Sequence, residues 1–170
     1  MPLRLVHVQG GARAELAAID RRFLVDRRLV LGMRDGALVY EVAPVPVPYE
    51  KTYPVPDLPT GGSIAALDGD RVLGRVDLST HWTGFGSIDD LTVEPSCRRQ
   101  GVGQNLIEEA QRWTRKSNLP GLRVETQDVN VAACRLYARC GFSLQGYDAG
   151  LYANHTVAAG EVALFWYWHC

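Results

Sequence analysis

Val93-Glu94-Pro95-Ser96-Cys97-Arg98-Arg99-Gln100-Gly101-Val102-Gly103 is the stretch on which the reading of this chain turns. An apolar run stops at Glu94-Pro95, a short basic loop follows, and two glycines open a helix. The first backbone N–H groups of a helix have no partner inside it, and the dipole there favours negative charge. Such a corner suits a pyrophosphate. Gly101 and Gly103 carry no Cβ, so the backbone can approach a ligand closely. Arg98 and Arg99 add positive charge at the same corner. A plain tight turn is the alternative for the glycines alone; the strand before and the helix after weigh against it. The glycines stop short of G-x-G-x-x-G and no G-K-[ST] follows, so neither a dinucleotide fingerprint nor a P-loop is present.

The flanking segments have clear periods. Gly101 to Lys116 reads as a helix, with Val102, Leu106, Ile107, Ala110 and Trp113 on one face. Ser87 to Val93 precedes it as a strand, and Leu122 to Thr126 follows Pro120-Gly121 as another. Asn130 can cap a helix running to Cys140, and Gly141 supplies its stop. Arg135 and Arg139 leave that helix a narrow polar stripe, so most of it is expected to be buried. Phe142 to Tyr147 and Glu161 to His169 read as final strands. Upstream, Ser63 to Leu67 and Arg71 to Leu78 flank Asp68-Gly69-Asp70 as a hairpin. Leu3 to Val8 is a short strand, and Ala12 to Leu24 has a helical period. Leu29 to Leu31 and Ala37 to Val42 make a hairpin around Arg34-Asp35-Gly36. Pro44 to Pro59 holds six prolines in sixteen residues and is expected to be a loop. The 43 residues before it are too few for a separate core, so residues 1–170 are read as one domain. The class is α/β of the α+β type: helices covering a largely antiparallel sheet.

Composition narrows the function. The net charge of -1 gives no field that would favour nucleic acid or an acidic membrane. No apolar run is long enough to span a bilayer, and the N-terminus lacks a signal-peptide pattern, so a cytoplasmic location is expected. Cys97, Cys134, Cys140 and Cys170 show no C-x-x-C pairing and are expected to be reduced. His7, His81, His155 and His169 have no metal-ligand spacing, so no metal is expected. Sixteen of the eighteen basic residues are Arg; only Lys51 and Lys116 are Lys, which reads as coding bias.

Two motifs together carry a family resemblance. Arg98-Arg99-Gln100-Gly101-Val102-Gly103 resembles the R/Q-x-x-G-x-G/A acetyl-CoA motif of the GNAT superfamily of N-acetyltransferases. Asn130 to Phe142 is similar to its second signature, N-x-x-A-x-x-x-Y-x-x-x-G-F. Ile88 to Val93, Val124 to Asn130, Gly146 to Tyr152 and Glu161 to Tyr167 further resemble streptothricin (nourseothricin) acetyltransferases. The resemblance implies a splayed central strand pair, one strand carrying Leu91 and Val93 and the other Val124. It implies acetyl-CoA as co-substrate, with pantetheine pairing near Leu91, Thr92 and Val93. Backbone amides from Arg99 through Gln100, Gly101, Val102, Gly103 and Gln104 would meet the pyrophosphate, beside Arg98. Asn130 would contact the cofactor, and Tyr137 would be the general acid. The acceptor implied is a small cationic amine, the β-lysine amine of streptothricin.

The chemistry of the acceptor supplies independent candidates. An alkyl amine with a pKa of about 10.4 is protonated at neutral pH and must lose a proton before it attacks. Acidic groups are therefore needed to attract it, and a base to deprotonate it. Asp89 and Asp90 are neighbours on one strand, so their side chains point to opposite faces. Glu125 leaves its strand on the face opposite Leu122 and Val124, and Asp148 ends a later strand. Glu125, one of the Asp89/Asp90 pair and Asp148 are read as an anionic pocket. Trp82 and Tyr152 are candidates for its wall, where an aromatic face can meet a cation. Packing is the alternative for Tyr137, and surface pairing for each acid. Another amine acceptor, or a module that binds CoA without turnover, uses the same motifs. The aromatic end Phe165-Trp166-Tyr167-Trp168 leaves a homodimer open.

Overall fold

The computed structural model describes residues 3–8, 19–55 and 61–170. Nine strands and two α-helices are present among them. In chain order they are β1 (Arg4–Val8), β2 (Phe23–Arg34), β3 (Ala37–Lys51), β4 (Ser63–Asp68), β5 (Arg71–Thr80) and β6 (Gly86–Val93). Helix α1 (Val102–Lys116), β7 (Gly121–Gln127), α2 (Val131–Arg139), β8 (Ser143–Asp148) and β9 (Ala163–His169) follow. Seven strands form one sheet in the order β1-β4-β5-β6-β7-β9-β8. Within it β6 and β7 are parallel and every other neighbouring pair is antiparallel. Strands β2 and β3 form a separate two-stranded ribbon.

The sheet and α1 share the main core. Ile64, Ala66, Val76, Leu78, Ile88, Leu122 and Val124 present one face, and Val102, Leu106, Ile107 and Ala110 of α1 close over it. This is the stripe that the 3.6-residue period predicts. Ile107, Leu106 and Ala110 have no exposed surface, so truncating either large side chain costs about 2–5 kcal/mol.

Two segments depart from the sequence pattern. The helix expected over 12–24 lies largely outside the described residues, but its last two residues, Phe23 and Leu24, begin β2. The loop expected from Pro44 is strand as far as Lys51. Spacing of two residues puts the missing N–H groups of Pro44, Pro46 and Pro48 on one edge of β3. Pro44 pairs with Arg27 and Tyr49 with Val25, so 45–48 face Asp26 alone. Pro46 and Pro48 thus sit in an irregular stretch where a ladder hydrogen bond is not required. Helix α2 is also less enclosed than its pattern suggests: Val131, Cys134 and Tyr137 are buried, while Ala132, Arg135, Ala138 and Arg139 are exposed.

Charged side chains tie the ribbon to the sheet. The Arg28 guanidinium grips Asp128, which is 1% exposed and accepts a further bond from the Val162 N–H at 2.9 Å. The Leu29 N–H reaches the Asp128 carbonyl at 2.8 Å. At the end of β3, Lys51 is buried against Glu161, also buried, and donates to the Val157 carbonyl at 2.6 Å. Tyr53 donates to the second Glu161 oxygen at 3.1 Å. Removing one partner of such a pair leaves an uncompensated buried charge. Lys51→Met is expected to lower the unfolding free energy by about 3–5 kcal/mol, and Lys51→Met with Glu161→Leu by much less. Urea denaturation of the two variants checks this.

Candidate active site

The site begins where two strands stop pairing. Strands β6 and β7 pair at Gly86↔Leu122, Ser87↔Arg123 and Ile88↔Val124, and nowhere beyond. Past that row β6 stays bonded to β5 as far as Val93, and β7 to β9 as far as Gln127. Each strand is held by its outer neighbour, and a fork opens between them. A bulge helps to turn β6 away: Leu78 pairs with Ile88 and Asp77 with Asp90, leaving Asp89 as the extra residue. Backbone groups of β6 aimed into the fork have no strand partner, a suitable edge for an extended polar ligand.

One side of the fork is closed by the N-terminus of α1. Arg99 has φ 64° and Gly101 φ 87°, so the chain turns twice through left-handed backbone before the helix. The helix cap at Gly101 has no side-chain bond, and the first turn contains no acidic residue. The amides of Val102, Gly103 and Gln104 are therefore uncapped donors beside an anion-favouring dipole. Gly103 has a reason the sequence did not show. A Cβ there would lie 3.0 Å from Leu136 Cδ2, so this glycine seats α1 against α2.

The two arginines of the turn part company. Arg98 is half-buried and fully engaged: Nε donates to the Val93 carbonyl at 2.9 Å, Nη1 to Arg22 at 2.7 Å and Nη2 to Asp20 at 3.2 Å. Burial pushes its pKa down, with Asp20 and Glu94 opposing that shift. Its guanidinium braces the corner instead of adding free charge to it, and it also occupies the Val93 carbonyl. Arg99 is exposed. Gln100 donates back to the Ser96 carbonyl at 2.8 Å, and Gln104 along the helix to Glu108 at 2.9 Å.

Helix α2 supplies Asn130 and Tyr137. The Asn130 side chain accepts from the Ala133 N–H at 3.3 Å, the capping bond its sequence position suggests. Tyr137 is 4% exposed, with its ring against Phe142 at 5.7 Å. Burial raises the pKa of its hydroxyl, and Cys134 and Asp90 add to the effect. The group thus stays protonated and has no hydrogen-bond partner among the described residues. Burial likewise pushes the Cys134 thiol up to about 12, so no nucleophile is on offer there.

The carboxylates divide into engaged and available. Asp90 is engaged: Arg21 Nη2 and Nη1 meet its two oxygens at 2.5 and 2.9 Å, and Thr92 donates to it at 2.9 Å. Asp148 is exposed, and its Oδ1 accepts from the Gly150 and Leu151 N–H groups at 2.7 and 3.0 Å. It caps the turn that leads to Tyr152, and no hydrogen bond among the described residues joins it to Glu125. Asp89 and Glu125 are the residues just past the last paired row of the fork, and both are exposed. Tyr152 Oη donates to Glu125 Oε1 at 2.6 Å, and Gln127 Nε2 donates to Tyr152 Oη at 2.9 Å. Trp82 is 89% exposed in the β5–β6 turn, with His81 as its ring neighbour at 5.5 Å. Among the described residues no ring pair or hydrogen bond joins it to Tyr152 or Glu125. Arg21, Tyr53, Gln127 and Glu161 were absent from the sequence candidates. Their partners in these bonds lie 25–108 positions away in the chain, too far for any local pattern to link them.

Comparison with known proteins agrees with the fold. The model of the acetyltransferase (GNAT) family matches residues 34–142. Streptothricin acetyltransferase A of Bacillus subtilis (strain 168) is 32% identical over 153 residues, covering 86% of this chain and 88% of that protein. Streptothricin acetyltransferase of Escherichia coli is 37% identical over 123 residues, 71% of each chain. A crystal structure from Bacillus anthracis str. Ames, of a protein provisionally named a streptothricin acetyltransferase and complexed with acetyl coenzyme A, superposes with TM-score 0.89. The two are 33% identical, over 99% of this chain and 100% of that one. A nourseothricin acetyltransferase structure gives TM-score 0.84 at 28% identity over 99% and 98% of the chains. This chain is an N-acetyltransferase and belongs to the GNAT family.

Proposed function

We propose that residues 1–170 form one acetyltransferase domain that moves the acetyl group of acetyl-CoA to the β-lysine amine of streptothricin, inactivating the antibiotic. The observation that carries this reading is Glu125, exposed just past the last paired row of the fork and hydrogen-bonded to Tyr152. The names of the relatives supply the acceptor.

The residues present fit acetyl-CoA. The uncapped α1 amides, with exposed Arg99, would hold its pyrophosphate. The open edge of β6 at the Leu91 backbone and the Val93 N–H would take the pantetheine; Thr92, also expected there, turns its backbone to β5 in the alternating ladder. Bound there, acetyl-CoA supplies a thioester, whose attack by a free amine yields an amide and the CoA thiol. The chain's own groups do the rest. Glu125 and Asp89 attract the cationic acceptor and bring its ammonium to the fork. Glu125, directly or through a water, takes the proton that must leave before nitrogen can attack. Burial keeps Tyr137 protonated, so its hydroxyl is available as a donor to the departing sulfur. The same burial makes it a weak acid at rest, and its proton moves only as charge builds on that sulfur. Asp90 faces Arg21 and acts in the frame of the site, and Asp148 acts through the turn it caps.

Thiol release from acetyl-CoA with streptothricin tests the reading. The wild type turns over, and Tyr137→Phe lowers kcat by on the order of 10²-fold with little change in the acceptor KM. Release with another amine and none with streptothricin would remove the acceptor assignment and keep the enzyme class. The turn makes a separate prediction. Arg99→Ala raises the KM for acetyl-CoA and leaves the unfolding free energy within about 0.5 kcal/mol of wild type. Arg98→Ala strips three carbonyls of their donor and costs about 1–3 kcal/mol. Steady-state kinetics and urea denaturation of the same pair separate the two roles.

A further inference from the structure

Glu125 is held by a directional chain. A phenol has one proton, and an ionised carboxylate can only accept. The Tyr152 proton therefore points at Glu125 Oε1, 2.6 Å away. Its oxygen must then accept, which assigns the amino end of the Gln127 side chain to it at 2.9 Å. Glu125 and Gln127 are two residues apart on β7 and share a face. Tyr152 closes the triangle from the loop after β8. That loop is itself fixed: Asp148 caps its first turn, and Tyr152 packs on Ala158, Ala163, Tyr53 and Phe165. Burial first, then the bond and charge of Glu125, raises the Tyr152 pKa, so its proton stays in place.

The arrangement leaves Glu125 asymmetric. Oε1 is fixed, while Oε2 has no hydrogen bond among the described residues and the side chain is exposed. Asp90 is already paired with Arg21 and Glu161 with Lys51, which leaves Glu125 and Asp89 as the available carboxylates of the fork. A free glutamate samples many rotamers, and freezing one costs on the order of 1–2 kcal/mol. Here that ordering is done before a ligand arrives, which is the physical content of preorganisation.

We propose that Tyr152 and Gln127 are positioning residues that aim the free oxygen of Glu125 at the ammonium group of the acceptor, an inference that rests on the role given to Glu125 above. Gln127 sets the direction, Tyr152 transmits it, and Glu125 meets the substrate.

Steady-state kinetics of Tyr152→Phe, Gln127→Glu and the double variant test the chain. Tyr152→Phe keeps the ring and its packing and removes the donor. It is expected to lower kcat/KM for the amine by about 10- to 100-fold, with the KM for acetyl-CoA and the melting temperature unchanged. Gln127→Glu gives the phenol a second acceptor and turns its proton from Glu125. The added negative charge would improve capture of a cation if charge alone mattered; the chain requires a loss of about 10-fold. In the Tyr152→Phe background Gln127→Glu adds no further loss beyond about two-fold, because the link is already cut. Either single variant within about two-fold of wild type, or losses that multiply in the double, overturns the proposal. Ratios to wild type are taken on streptothricin and, if the wild type leaves it unmodified, on spermidine. Wild-type turnover of streptothricin thus judges the acceptor assignment, and the variant ratios judge the chain.

Discussion

Pairing between β6 and β7 ends after three rows, and the rest of the molecule is arranged around that interruption. Two parallel strands in the middle of a sheet would normally satisfy each other's backbone groups along their whole length. Here both strands continue, each stabilised from outside, and the inner edges are given up. The cost is borne by strong outer ladders, β5 on one side and β9 on the other, and by α1 packed across the sheet behind the opening. A gap of this kind is open to a ligand because its walls do not need the ligand to stand.

Around the opening, buried charge pairs do what a short core cannot. Arg28 with Asp128, Lys51 with Glu161, Arg75 with Asp77 and Arg21 with Asp90 all join polar groups with little exposure on at least one partner. Three of these pairs bridge segments far apart in the chain. The value of those three lies less in net stability than in register, since each is satisfied in only one arrangement of the segments it joins. The Asp77 carboxyl, pushed up by burial, is kept in place by Ser63 and Arg75. That polar row continues across the sheet to Asp90, Asp77's partner in the β5–β6 ladder.

Much of this was legible in the sequence, and the boundary has a physical meaning. The turn from Val93 to Gly103, the apolar stripe of α1, the Asn130 cap and the Gly141 stop are local features, and local features leave periodic or positional signs. The strand through Pro44, Pro46 and Pro48 was not legible. Proline density argues against a strand unless the strand is an edge with a wide irregularity, and a sequence does not announce its edges. Arg98 matched its motif, yet its side chain is spent on three carbonyls, two of them from a distant segment. The acids were named without their partners. Asp90 read as available until Arg21 was seen upon it, and Glu125 read as one acid among four until Tyr152 and Gln127 distinguished it.

Burial of Lys51 has an outcome for the chemistry itself. An N-acetyltransferase meets competing nucleophiles on its own surface wherever a lysine reaches solvent. This chain has two lysines, and Lys51 is sequestered beneath Glu161 and the Val157 carbonyl. Lys116, at the far end of α1 from the Gly101 turn, is the one ε-amine left on the surface. The remaining positive charge is guanidinium, which does not lose its proton under these conditions and so does not attack a thioester. Of the two lysines, only Lys116 is thereby open to acetylation by the co-substrate.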